Sequence, residues 1–343
     1  MALQEHSASR SIASKVAGWL PARVRKAARS FVGRRYDLPA VVAARGRWSR
    51  WFSTSVRRLY NPPSMVSRQS ALTRWVSVDV RGELPTLYHF DVHITDHCNL
   101  NCKGCIHFSS ICEPGFADPE AFADDLRAMA ARLRLEQIFL LGGEPLLHPR
   151  VDEFVGIARD CFPDTRICLV TNGVLLMKMG ESFWRALAGS NTVLICEAYP
   201  ISLPVEAIRA RAADHGVQLE WTGHGKFYKL PIDPDGTQDP KDSFRRCSGI
   251  TNCPLYKDGR LYPCAYPAYV DAFSQRFGLT GLVATDADSI SVRDNDGTSI
   301  MEFMRRPVPF CRHCDFDHFE EYPWDHSKRT IDEWTVSGTG SAA

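Results

Sequence analysis

The stretch CNLNCKGC places Cys98, Cys102 and Cys105 in a C-x3-C-x2-C spacing. Thiolates hold zinc or iron–sulfur clusters, and a structural zinc site or an ordinary ferredoxin-type cluster is closed by a fourth protein ligand. Three closely spaced thiols without a fourth imply a metal centre with one position left open. A second set lies far downstream: Cys247, Cys253 and Cys264, then Cys311 and Cys314 as C-x2-C. Between the two sets, Gly142, Gly143, Glu144 and Pro145 form GGEP, in which a carboxylate follows glycines that allow close backbone approach.

These residues sit in a chain of 343 residues, 44% hydrophobic and 24% charged, the composition of a globular protein with a substantial core. No run of eighteen apolar residues is present, so a membrane-spanning helix is not expected. The apolar stretches near the N-terminus are broken by Arg, Lys and Pro and do not form a secretory signal; a cytoplasmic location is expected. Without an oxidising compartment, the clustered cysteines read as metal ligands rather than a disulfide framework. Cys112, Cys161, Cys168 and Cys196 stand singly and read as small buried hydrophobes.

The net charge of +1 conceals an asymmetry, because residues 1–85 hold sixteen Lys/Arg against four Asp/Glu. In that basic arm Ile12, Val16, Trp19, Leu20, Val24, Ala27 and Phe31 fall on one helical face with cations opposite. The pattern fits an amphipathic helix docking on an anionic membrane surface, a nucleic-acid-binding arm, a transit peptide or a self-docking extension. YNPPSM at 60–65 breaks the chain.

From about residue 86, apolar strands alternate with helices. Strands are expected at 87–95, 137–143, 165–173, 192–200 and 216–223. Helices are expected at 118–133, 151–162, 181–189 and 204–214. Asp118 is a candidate N-cap with Pro119 at the first helical position. Repeated βα units imply a parallel sheet, whose functional residues gather at the strands' C-terminal ends. The three cysteines, GGEP and TNG (Thr171, Asn172, Gly173) all lie just past expected strand ends, on one rim.

CNLNCKGC after a first strand, followed some forty residues later by GGEP at the end of the next, resembles the radical S-adenosylmethionine (SAM) superfamily, over roughly residues 86–225. The resemblance implies an α/β fold, a partial (β/α)6 TIM-like barrel. Here it carries a basic helical N-terminal arm (1–85) and, after a core at 86–240, a small Cys-rich β-hairpin/α extension (241–343). It implies that Cys98, Cys102 and Cys105 bind a [4Fe–4S] cluster whose fourth iron chelates SAM. Gly142, Gly143, Glu144 and Pro145 would contact the methionine end, and Asn172 the ribose side. The implied reaction is reductive cleavage of SAM to a 5′-deoxyadenosyl radical that abstracts hydrogen, with electrons from an external donor such as flavodoxin or ferredoxin. Many members carry an aromatic residue just before the third cysteine; Gly104 stands there in this chain, with His107 and Phe108 as the available substitutes.

The downstream segment has the form C-x11-G-x4-C from Cys247 to Cys264, with Cys253 inside it and a β-hairpin turn expected at Asp258-Gly259. With Cys311 and Cys314 it resembles the SPASM/twitch auxiliary-cluster extensions of radical SAM enzymes. The five cysteines Cys247, Cys253, Cys264, Cys311 and Cys314 compete for the four places of one auxiliary [4Fe–4S] cluster; a four-cysteine zinc ribbon also fits the spacing. The resemblance therefore implies oxidation of a small polar substrate such as a sugar or cyclitol. Alternatives are a maturase crosslinking or epimerising a peptide substrate and, in another class, a non-catalytic iron–sulfur or nucleic-acid-binding protein. Asp91, Glu197, Tyr199 and Arg245 are candidate substrate contacts.

Overall fold

The computed structural model describes Val76–Ser77 and residues 84–223, 227–247 and 254–336. The basic arm expected as helical, and Cys253, lie outside the described residues.

Strands β2 (Thr86–Thr95), β3 (Arg134–Gly142), β4 (Arg166–Thr171), β5 (Val193–Ala198) and β6 (Leu219–Gly223) are parallel neighbours in sequence order. Helices α1 (Pro119–Ala130), α2 (Val151–Cys161), α3 (Glu181–Gly189) and α4 (Val205–Asp214) make the crossovers. The alternation expected from the hydrophobic pattern is therefore present, with boundaries within a few residues. Helix α1 starts where its chemistry requires: Asp118 Oδ1 accepts from the backbone N–H of Glu120 at 2.8 Å, and Pro119 fills the first helical position. Phe122, Leu126 and Met129, spaced for one helical face, are buried.

The sixth parallel strand comes from downstream. The hairpin of β8 (Leu255–Lys257) and β9 (Arg260–Tyr262) turns at Asp258-Gly259, whose φ values of 49° and 77° are those of a type I′ turn. Strand β8 adds in parallel to the free side of β2, pairing Asp91 with Leu255 and Val92 with Tyr256. The short strands β1 (Val76–Ser77), pairing with β2, and β10 (Ile290–Ser291), pairing with β9, extend the sheet. Among the described strands the sheet is open rather than a closed barrel. A separate ribbon joins β7 (Phe227–Lys229) to β11 (Glu320–Tyr322).

Strand β2 is the sheet's central element, and the pleat sorts its side chains by chemistry. Leu87, Phe90, Val92 and Ile94 are buried, Phe90, Val92 and Ile94 on one face. His89, Asp91, His93 and Thr95 alternate with them on the other face, buried as well. Buried polar groups on a strand demand partners, and this polar face supplies part of the site.

Helix α5 (Pro240–Cys247) precedes the hairpin, while α6 (Ala265–Phe277) and α7 (Gly297–Phe303) follow it. In α6, Tyr266, Tyr269, Val270 and Phe273 face inward. Tyr266 and Phe273 enclose Phe108 together with Trp334, at ring-centroid distances of 4.9–5.9 Å. Phe108 is fully buried with a positive φ of 53°. It is thus a core anchor for the cysteine loop, and does not take the place of the aromatic residue that Gly104 replaces.

Candidate active site

A cavity of about 300 Å³ opens at the C-terminal ends of the parallel strands. Cys98, Cys102 and Cys105 enter it from the loop after β2, Gly142, Gly143 and Glu144 from the end of β3, and Asn172 from the end of β4. The structure therefore gathers every expected cluster- and SAM-contacting residue except Pro145, which is buried at the start of a 3-10 turn.

Close backbone approach explains Gly143. A Cβ built there would stand 2.1 Å from the carbonyl oxygen of His97, in the loop leading to Cys98. Gly143 N–H donates to Thr95 O at 2.7 Å and Glu144 N–H to His97 O at 3.0 Å. The glycines thus splice the β3 end directly to the cysteine loop. Glu144 then ties in β4: its carboxylate accepts from Thr171 Oγ1 (2.6 Å), Asn172 N–H (2.9 Å) and Leu146 N–H (3.0 Å). Burial raises its pKa to about 7 against the lowering effect of these donors. Asn172 Nδ2 donates to Asn99 Oδ1 at 2.7 Å, fixing TNG against the cysteine loop.

The donor set fits an iron–sulfur cluster. No disulfide joins the described cysteines. Among the described residues no three His, Cys, Asp or Glu are gathered tightly enough for a single metal ion; the three thiols instead border one cavity. Burial pushes the Cys98 thiol up to about 12 and Cys102 to about 11, and also raises Cys105. Buried thiols become thiolates when a cationic metal compensates them. N–H donors already point at all three sulfurs: Leu100 N–H at Cys98 Sγ (3.3 Å), the Trp324 indole at Cys102 Sγ (3.1 Å), and backbone N–H groups of His107, Phe108 and Ser109 at Cys105.

Asp91, Glu197 and Tyr199 also line this cavity, as expected. Arg245 does not: it is exposed on α5 and paired with Asp242. Asp91 projects from the polar face of β2, with His89 Nε2 at 3.8 Å from its Oδ1. Burial, then the charge of Glu197, raises its pKa to about 7. His107, only weakly indicated by sequence, is a lining residue too. Its Nδ1 donates to Gly142 O at 3.1 Å, its ring meets His93 edge-on at 4.3 Å, and burial lowers its pKa to about 4, so it is neutral.

The second cysteine set also converges. Cys247 at the end of α5, Cys264 at the start of α6, and Cys311 and Cys314 in a 3-10 turn border a small apolar cavity of about 30 Å³. Burial raises the Cys311 thiol to about 11 and also raises Cys314, and the neighbouring thiols add to both shifts. Four of the five candidates are thus together, and the fifth, Cys253, is outside the described residues. A cavity of about 70 Å³ joins the two sites: it shares Asp91, Ile106, His107 and Tyr228 with the larger cavity, and Cys247, Cys264 and Cys314 with the smaller.

What sequence reasoning missed is the segment from the end of β11 onward. Tyr322, Trp324, Glu333 and Trp334 bind the cysteine loop from the far end of the chain. The signal available was two tryptophans in an otherwise polar tail without helical or strand periodicity.

The GTP 3′,8-cyclase of Chlorobaculum tepidum is 34% identical over 110 residues, 32% of this chain and 33% of that protein. The GTP 3′,8-cyclase of Mycolicibacterium smegmatis is 36% identical over 98 residues, 28% of this chain and 27% of that protein. The chain spans about a third of the length of these curated relatives. Among solved structures, BtrN in complex with AdoMet and 2-DOIA is 18% identical over 66% of this chain and 93% of that one, at a TM-score of 0.40. Native anSMEcpe with bound AdoMet is 12% identical over 66% and 82%, at a TM-score of 0.42. At these scores neither structure bears on substrate. No described helix is long and apolar enough to cross a membrane. The family model of the radical SAM superfamily matches residues 92–203, which hold the cysteine loop, GGEP and TNG, so this stretch is a radical SAM domain.

Proposed function

We propose that the chain is a radical SAM oxidoreductase that removes two hydrogens from a small polar substrate bearing a hydroxyl group, of the sugar or cyclitol kind. The observation that carries this reading is the line of three adjoining cavities with Asp91 and His107 in the middle and a cysteine set at either end. Cys98, Cys102 and Cys105 would hold a [4Fe–4S] cluster that with SAM would supply hydrogen-atom abstraction from a C–H, and Cys247, Cys264, Cys311 and Cys314 would hold a second cluster that would supply an acceptor for the remaining electron.

The chain's own residues provide the rest. Asp91 takes the proton of the substrate hydroxyl, so that the C–H hydrogen, the O–H proton and one electron leave and a carbonyl remains. A carboxylate with pKa near 7 suits a general base working near neutrality. Neutral His107, held by Gly142 O, and the Tyr199–Glu197 pair, whose hydroxyl donates to the carboxylate at 3.3 Å, orient the substrate and limit water. The GTP 3′,8-cyclase likeness covers about a third of the chain and names no substrate for it.

The test is to replace Cys98, Cys102 and Cys105 together with Ala, reconstitute anaerobically, and count iron and sulfide beside the wild type. About four of about eight irons should remain, because the second set is independent. Complete loss of iron, or zinc in its place, would remove the internal electron acceptor and with it the oxidoreductase reading. Release of 5′-deoxyadenosine from SAM by the wild type separates an enzyme from a binding-only iron–sulfur protein.

A further inference from the structure

From the end of β11 the chain runs back over the cysteine loop and grips it residue by residue. Tyr322 Oη donates to Lys103 O at 2.7 Å, and the Lys103 ammonium lies 5.2 Å from the Tyr322 ring centroid. Lys103 N–H donates to Asp325 O, and Ser327 N–H to Asn101 O, both at 2.9 Å, with a β-bridge between Cys102 and His326. Asn101 Nδ2 donates to Ser327 O at 2.8 Å, and Trp334 Nε1 to Cys105 O at 2.9 Å. Buried Glu333 accepts from Ser327 Oγ at 2.6 Å, from Lys328 N–H at 2.5 Å, and from Gly104 N–H at 3.4 Å. Gly104 is what lets this strap in: its φ is +61°, and a Cβ there would stand 2.4 Å from the Tyr322 hydroxyl.

Most of these bonds join a side chain to a backbone group and could serve packing alone. One does not. The indole Nε1–H of Trp324 donates to Cys102 Sγ itself, at 3.1 Å. We propose that Trp324, carried on this strap, is a positioning residue that sets the reduction potential of the SAM-binding cluster through its hydrogen bond to the Cys102 sulfur. The inference rests on the reading that Cys102 is a cluster ligand. Hydrogen bonds to ligand sulfurs, together with solvent exposure, set the potentials of iron–sulfur centres. Reduction adds negative charge shared by the sulfurs, so an N–H donor stabilises the reduced state more than the oxidised one. Trp324 therefore makes the cluster easier to reduce, and the half-buried indole also excludes water from that sulfur. No other described side chain donates an N–H to Cys102, so a single substitution removes the effect.

The experiment is a redox titration of the full-length holoprotein, following the EPR signal that changes on adding SAM, which identifies the cluster with the open position. Trp324→Phe keeps a ring and removes the donor. With wild-type iron content, its reduced-to-oxidised ratio at a fixed potential should fall about tenfold, a shift of about 59 mV to lower potential for one electron. Tyr322→Phe removes a strap bond and leaves the indole donor, and should leave the potential unchanged. An unchanged potential in Trp324→Phe overturns the proposal, as does an equal shift in Tyr322→Phe, which would make strap packing the cause. Loss of iron from Trp324→Phe also overturns it, leaving a structural clamp. Absence of any SAM-responsive signal in the wild type would instead refute the assignment of Cys102 as a ligand.

Discussion

Asp91 offers a quantitative test of the cavity's electrostatics. Its pKa in the folded chain is raised to about 7 from the ordinary carboxylate value of 3.8, by burial and then by the charge of Glu197. A carboxyl raised on folding stabilises the protein fully below its unfolded pKa, and that stability is lost as pH rises through the folded pKa. Between pH 5.5 and pH 8 the loss from this residue is about 2 kcal/mol, at 1.36 kcal/mol per unit. Asn resembles the protonated form, so in Asp91→Asn this loss disappears. The other groups nearby titrate alike in both proteins. Glu144, also raised to about 7, loses stability over the same window. His89, lowered to about 4, contributes stability above its unfolded pKa that is lost as pH falls. Both cancel in the difference between variant and wild type. Anaerobic melts followed by tryptophan fluorescence at pH 5.5, 6.5, 7 and 8 should show the variant gaining about 4 °C on the wild type across the series, at 2–4 °C per kcal/mol. A difference independent of pH, or one moving the other way, would refute the placement of Asp91 as a buried carboxyl titrating near neutrality.

Other substitutions test other joints. Gly143→Ala forces a Cβ against the backbone carbonyl of His97, with no flexible side chain to yield; it should cost about 2–4 kcal/mol and abolish iron loading at the N-terminal site, read by iron count and melting temperature. Phe108→Ala empties a site ringed by Tyr266, Phe273 and Trp334 and should cost about 3–5 kcal/mol, whereas Phe116→Ala, half exposed, should cost under about 1 kcal/mol; equal shifts in the two melts would contradict the core assignment. Because Cys247, Cys264, Cys311 and Cys314 already meet around one cavity, Cys253→Ala should retain the iron of the second site and Cys247→Ala should lose it, measured in the background lacking the first three cysteines.

The alternating elements were legible because strands buried in a parallel sheet read as short apolar runs, and helices such as α1 announce themselves with a cap and a proline. The rim was legible for a related reason: polar and glycine residues directly after an apolar run have few other uses. Arg245 was not. Helix α5, PKDSFRRC, is polar nearly all round, so no apolar stripe says which way its arginines face, and the structure turns Arg245 to solvent. Phe108 deceived because an aromatic three residues past a cysteine looks like a ligand contact, while its burial depends on α6, more than 150 residues away. The strap after β11 was invisible because side chain-to-backbone bonds hold it, and these leave no period in the sequence.

The location of β8 is the least legible feature and the one with the largest consequence. Sequence placed the hairpin among the downstream cysteines but could not say what it docks on, since strand pairing at such separation leaves no local trace. It docks on β2, the strand that delivers Cys98, and Asp91 N–H donates to Pro254 O at 2.7 Å beside the ladder. Tyr256, next along β8, pins the hairpin to α1 by donating to buried Asp125 Oδ2 at 2.5 Å, and Arg293 closes on the same carboxylate. Cys264 follows β9 after Pro263 alone, so its position relative to Asp91 is set by strand register rather than by a linker. A slip of β8 by one residue would turn Tyr256 away from Asp125 and leave that carboxylate buried with only Arg293 as its side-chain partner, which the cost of an unsatisfied buried acceptor forbids. The sheet therefore holds the two cysteine sets at a fixed separation on either side of the Asp91 carboxylate.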